Sequence, residues 1–202
     1  LKAFGKAQPG GNAPVREYHH RLLALYAASD ERRAFKQAER IVSKHPTDLV
    51  PRALLALRGK GQMTRFAETV KAFVGEDDFE MLEMALTFAE VGLAREAEKL
   101  LRAVCVEAVP EGQRSPLPLY YLAHLASGQG NLDASQDYLK QAAQTYKDLD
   151  FPSRPEALEI LQYAVRENPS DGCAHLYIGN LYTHLGRADE AVEHWRRAAK
   201  LD

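Results

Sequence analysis

Cysteine is scarce in this chain. Cys105 and Cys173 are the only two among 202 residues, too few and too far apart for a disulfide framework. Buried thiols suit a reducing compartment, so a cytoplasmic protein is expected. No apolar run reaches the ~18 residues that a membrane-crossing helix needs, and no charged stretch followed by an apolar one reads as a secretory leader. Neither sign of charge is in excess: 26 Lys and Arg stand against 28 Asp and Glu, a net charge of −2. The basic residues are scattered rather than gathered in a stripe, which leaves no electrostatic footprint for nucleic acid. The alternation that marks strands is also missing.

Motifs that carry chemistry are lacking too. The sequence has no His-Glu-x-x-His, no Cys-x-x-Cys and no clustered Asp-x-Asp loop, so no run of residues has metal-ligand spacing. His19-His20 is the sharpest histidine pair, but neighbours on a helix point about 100° apart and chelate poorly. Gly10-Gly11 and Gly59-Lys60-Gly61 lack the downstream Lys-Ser/Thr of a phosphate loop. The second reads as a hinge. Asp77-Asp78 serves as a helix cap before Phe79, and Glu107, Glu111, Asp133 and Asp137 form no acid–base pair. We expect no catalytic residue, no cofactor and no metal. A small helical enzyme is the remote alternative; it would need a deep pocket with converging, perturbed carboxylates.

What the chain does have is a recurring spacing. Gly179 is followed by Gly186 at seven residues, Ala191 at twelve, Trp195 at sixteen and Ala198 at nineteen. Small residues on facing helices let two backbones approach, and a large one fills the space beside them. The same offsets recur in Ala123, Gly130, Ser135, Leu139 and Ala142, and in Ala85, Gly92, Ala97, Leu101 and Val104. They recur again in Leu22, Ser29, Ala34, Ala38 and Ile41, with Pro46 closing the unit. A weaker copy runs through Leu54, Gly61, Phe66, Val70 and Phe73, where a large Phe66 stands in a small position and implies looser packing or a rotated helix. Each unit predicts two amphipathic helices hinged at Ser29, Gly61, Gly92, Gly130 or Gly186. The last pair is expected at 173–185 and 188–201, with Trp195 buried between its helices.

The gap from Gly130 to Gly186 is too long for one unit, and an extra helix fills it at 153–167. Ser153 and Glu156 have capping-box spacing, and Pro155 is placed in the first turn. Leu158, Leu161 and Val165 predict its apolar face, and Asn168-Pro169 stops it. Residues 1–14 are rich in Gly and Pro and read as a linker. The chain stops on a helix without a polar cap, so a region of a longer protein is expected.

These residues resemble the tetratricopeptide repeat (TPR), a helix–turn–helix unit of about 34 residues. The resemblance implies an all-α, right-handed solenoid of about five repeats plus a half repeat. Their expected bounds are 15–48, 49–77, 78–111, 116–149, 153–169 for the half repeat, and 172–202. It also implies a non-catalytic interaction scaffold whose concave groove takes a peptide, a helix or a neighbouring domain. The groove positions that follow are Phe79, Leu82, Leu86, Tyr120, His124, Leu176, Asn180 and His184, a set more apolar than a solvated face. Leu176, Tyr120 and Leu82 stand where a carboxylate clamp would have Lys or Asn, which argues against an adaptor for chaperone tails. The uncapped ends add an expectation of weak self-association or a structural spacer. The C-terminal segments Phe151-Pro152-Ser153-Arg154, Glu159-Ile160-Leu161, Asn168-Pro169-Ser170-Asp171 and Tyr177-Ile178-Gly179-Asn180-Leu181-Tyr182 resemble the TPR tail of large bacterial proteins that carry a mutarotase-like domain. That resemblance implies a carbohydrate-handling parent.

Overall fold

A computed structural model describes residues 13–74, 78–145, 152 and 154–201. The described residues form eleven α-helices and no strand. They gather into two compact units. The first holds α1 (Ala13–Ala27), α2 (Glu31–Lys44), α3 (Leu49–Ala56), α4 (Lys60–Val74), residues 83–90 of α5 (Asp78–Glu90) and 94–97 of α6 (Ala94–Arg102). The second holds the rest of α5 and α6 with α7 (Pro116–Gly128), α8 (Leu132–Gln144), α9 (Ala157–Glu167), α10 (Gly172–His184) and α11 (Ala188–Leu201).

In the first unit α1 packs on α2, α2 on α3 and α3 on α4. Ala34, Ala38 and Ile41 are the buried residues of α2, Leu22 and Leu23 of α1 are buried too, and the two helices pack together. Asp30 accepts the Arg33 N–H and caps α2, satisfying one of the orphan donors of its first turn. The adjacent histidines of α1 splay to two partners. His19 Nε2 lies 2.9 Å from Asp48 Oδ2, and His20 Nε2 lies 2.9 Å from Glu90 Oε2, which Arg16 also engages. They tie helices together rather than converge on a metal.

The second unit is built on two tight hairpins, α7–α8 and α10–α11, with α9 packed on both α7 and α10. Ser135, in the small position of the α7–α8 pair, donates its hydroxyl to the Ala123 carbonyl at 2.8 Å. After α6 the chain makes one π-helical turn, Ala103–Glu107, and a short 3-10 turn, Glu111–Gln113. The extra helix exists, but its buried row is Ala157, Ile160, Leu161, Tyr163 and Ala164, while Leu158 and Val165 are only half-buried. Two facing helices, not one, set that register. Ser153 of the expected capping box lies outside the described residues, and Pro155 falls in the turn before α9 rather than in its first turn.

Four of the five expected hinges have the left-handed backbone that ends a helix: Ser29 (φ 63°), Gly92 (86°), Gly130 (79°) and Gly186 (73°). Gly61 does not. It sits in the first turn of α4, and the turn between α3 and α4 runs through Leu57, Arg58 and Gly59. Phe66 is nevertheless buried, as are Val70 and Leu54. Helix α1 begins at Ala13, inside the stretch read as linker, whose residues 1–12 lie outside the described residues.

Candidate functional site

The sequence places a binding groove on the first helix of each pair, and α7 is the place to examine it. From Pro116 to Ala123 every residue of α7 is buried. Its helical period should leave one face open, but α8 covers one side and α9 another, and Tyr177 of α10 reaches Tyr120. Tyr120 is 0% exposed. Its ring meets Tyr177 of α10 edge-on at 6.4 Å, and its hydroxyl donates to Asp171 at 3.0 Å from either carboxylate oxygen. Tyr120 is therefore core and not groove. Tyr120→Ala would open a cavity of the kind that costs ~3–5 kcal/mol, so it cannot serve as a clean surface change. Leu82 is 3% exposed and is likewise core.

The remaining expected groove residues divide between the units. Leu86 is half-buried and belongs to the first. In the second, Phe79 is 44% exposed, His124, Leu176 and Asn180 are half-buried, and His184 is exposed. His124 lies edge-on to Tyr163 of α9 at 5.5 Å, and its Nδ1 is buried with no hydrogen-bond partner. Burial holds His124 below its ordinary value, with Arg166 adding to the effect and Glu159 opposing it.

Polar contacts between distant residues help hold this unit. Asp171 caps α10 by accepting the Ala174 N–H at 2.9 Å while it accepts the Tyr120 hydroxyl. Desolvation pushes its carboxyl up, and those hydrogen bonds pull it back. Tyr120 itself is pushed well above the ordinary phenol value, chiefly by burial. Ser135 shares a 2.7 Å contact with the Tyr163 hydroxyl, so α9 is pinned to the α7–α8 hairpin. His175 of α10 and His194 of α11 approach to 3.0 Å between their Nδ1 atoms. None of these contacts was legible beforehand, because the partners lie 51, 28 and 19 residues apart. The usable hints were local: Asp171 directly follows a helix stop, and Ser135 occupies a small position. With both Asp171 oxygens engaged and its partner tyrosine buried, the arrangement is suited to holding helices, not to proton transfer. Among the described residues no group of three or more His, Cys, Asp or Glu could hold a metal ion.

The α10–α11 hairpin presents a different surface. A methyl group at Gly179 would lie 2.4 Å from Trp195 Cδ1 and 3.1 Å from the Ala191 carbonyl oxygen. The glycine is thus what lets α11 lie against α10. Trp195 covers it, and its Nε1–H donates to Asn180 Oδ1 at 3.1 Å. Yet Trp195 is 37% exposed rather than buried, and among the described residues no helix covers that flank of the hairpin. Val192, one turn earlier, and Leu185 and Leu201 are exposed as well. Leu176, Asn180 and His184 recur every four residues on α10 and form one row. Val192 and Trp195 form a row on α11, and the two meet at the Asn180–Trp195 bond.

No protein-family model matches the chain, and no curated protein matches it. Solved structures do. A crystal structure of MamA aligns at 17% identity over 88% of this chain and 92% of that one, with a TM-score of 0.29. YrrB, described as a TPR protein with an unusual peptide-binding site, aligns at 12% identity over 82% of this chain and 92% of its own, TM-score 0.31. The Cut9–Hcn1 hetero-tetramer of the APC/C aligns at 14% identity over 90% of this chain and 38% of that one, TM-score 0.32. Likenesses this remote fix neither partner nor activity. What marks these helix pairs as TPR-like is their own packing, with Gly179 under Trp195 and Ser135 against Ala123.

Proposed function

We propose that this chain is a non-catalytic scaffold for a protein partner, and that it takes an apolar helix or peptide on the open face of the α10–α11 hairpin. The observation that carries this reading is Trp195. It is a large aromatic ring held in place by Gly179 below and Asn180 beside it, yet over a third of it faces solvent. A pre-ordered aromatic anchor loses little freedom on binding, and such residues dominate interface energies. Val192 lies one turn before it on α11, and Leu176 and His184 lie one turn to either side of Asn180 on α10, so the two rows offer apolar side chains beside one side-chain amide.

Peptides selected from a displayed library against the whole chain test this. Val192→Glu puts a charge on the face without touching the core and should abolish capture, with unchanged helicity and melting. His45→Ala, in the turn after α2, should leave capture intact. Peptides that bind Val192→Glu as well as the unaltered chain would contradict the assignment.

The exposed Leu185 and Leu201 on the same hairpin favour a second reading, self-association through this face. Sedimentation at rising concentration separates the two. A larger species that vanishes in Val192→Glu supports self-association, and a constant monomer rules it out.

A further inference from the structure

Inside the same hairpin, His175 and His194 face each other with their Nδ1 atoms 3.0 Å apart and their ring centroids 5.1 Å apart. Two nitrogens at that distance share one hydrogen: one ring donates, and the other must offer its lone pair. The contact therefore exists only while at least one ring is neutral. When both rings are protonated, two donors and two positive charges confront each other. Little else is positioned to relieve them. His175 is buried, and the Tyr182 ring stands edge-on to His194 at 5.5 Å.

The charged and titratable groups that face the pair come from three places. Asp171 and the Pro169 carbonyl lie in the turn before α10, Tyr182 lies on α10, and Glu193 and Arg197 lie on α11. Asp171 is the counter-charge beside His175, but its carboxylate is already committed to the Tyr120 hydroxyl and the Ala174 N–H. Glu193 bonds Arg197.

We propose that the His175–His194 pair is an acid-sensitive latch: on acidification both rings protonate and α11 releases from α10. Burial is the leading cause that holds both rings below their ordinary value of 6.5. Arg197 adds to this at both, and His175 adds to it at His194. Asp171 and the Pro169 carbonyl oppose it at His175, and Glu193 opposes it at His194. The folded values are thus lower than the unfolded one, so the open form binds more protons once pH drops below 6.5. Docking is complete at neutral pH and above, and it is lost as pH falls from that value toward the lowered ones. The latch does not depend on what the open face binds.

The chain carries its own reporter. Its single tryptophan is Trp195, which lies across Gly179 on the interface in question. Titration of the whole chain from about pH 8 to about pH 5 should shift Trp195 emission to the red. Exchange of α11 amides, corrected for the chemical rate, should rise in the same step while α1 and α2 stay protected. His194→Gln keeps a hydrogen-bonding side chain without the second charge and should flatten the transition. Emission that ignores pH, or an identical transition in His194→Gln, overturns the latch. Should that variant fail to fold, ring-proton resonances of the unaltered chain decide it. His175 and His194 must titrate together with the Trp195 indole, and rings that titrate while the indole stays still refute the proposal.

Discussion

At the residue scale, Gly179 has a part that its helix propensity opposes. A glycine in mid-helix costs roughly 0.5–1 kcal/mol relative to alanine, so the substitution would be stabilising if nothing else mattered. The added methyl group would meet the Trp195 ring at 2.4 Å and press the Ala191 carbonyl at 3.1 Å. The ring would have to leave Gly179 and break its bond to Asn180. Overpacking of this kind typically costs ~1–3 kcal/mol, so Gly179→Ala should lower stability in denaturant titration and quench the ordered indole environment. A gain in stability would show that the two helices do not approach as closely as described. This position was legible from spacing alone, since the offset of twelve residues from Gly179 to Ala191 marks the close approach. The exposure of Trp195 was not. Spacing says which residues face the partner helix, but not whether a further helix covers them.

At the element scale, α9 shows where periodicity runs out. Its row of Leu158, Leu161 and Val165 has helical spacing, but so does Ala157, Ile160, Leu161 and Ala164, and only packing on both α7 and α10 selects the second. The same packing buries Tyr120, which the repeat pattern alone assigns to an open groove. Covering helices that begin at Ala157 and Gly172, more than a repeat length after Tyr120, are invisible to a local pattern. The hinges were more legible, because a left-handed residue is a local requirement that glycine meets without strain. Gly61 misled because glycine is also tolerated in a helix's first turn. The register of α9 can be read from two substitutions. Leu161→Ala removes a fully buried side chain and should cost ~2–5 kcal/mol. Leu158→Ala removes a half-buried one and should cost ~1 kcal/mol or less, in keeping with the smaller area it hides. Equal losses, measured by thermal or urea unfolding, would restore the row expected from sequence.

At the scale of the whole molecule, the most extensive pairings are the hairpins α10–α11 and α7–α8, between helices that are neighbours in the chain, and α9 adds packing on α7 and α10. In such an array stability is a sum of local terms, and loosening one end need not spread. That locality would let the proposed binding surface and the proposed acid latch act on the last hairpin without unmaking the rest. The most direct test is hydrogen exchange on Trp195→Ala, read segment by segment. The half-exposed ring makes the loss smaller than the ~3–5 kcal/mol of a core aromatic. Protection should fall in α11 and along α10, while α7 to α9 and α1 to α4 keep theirs. A uniform loss of protection from α1 through α11 would contradict the account.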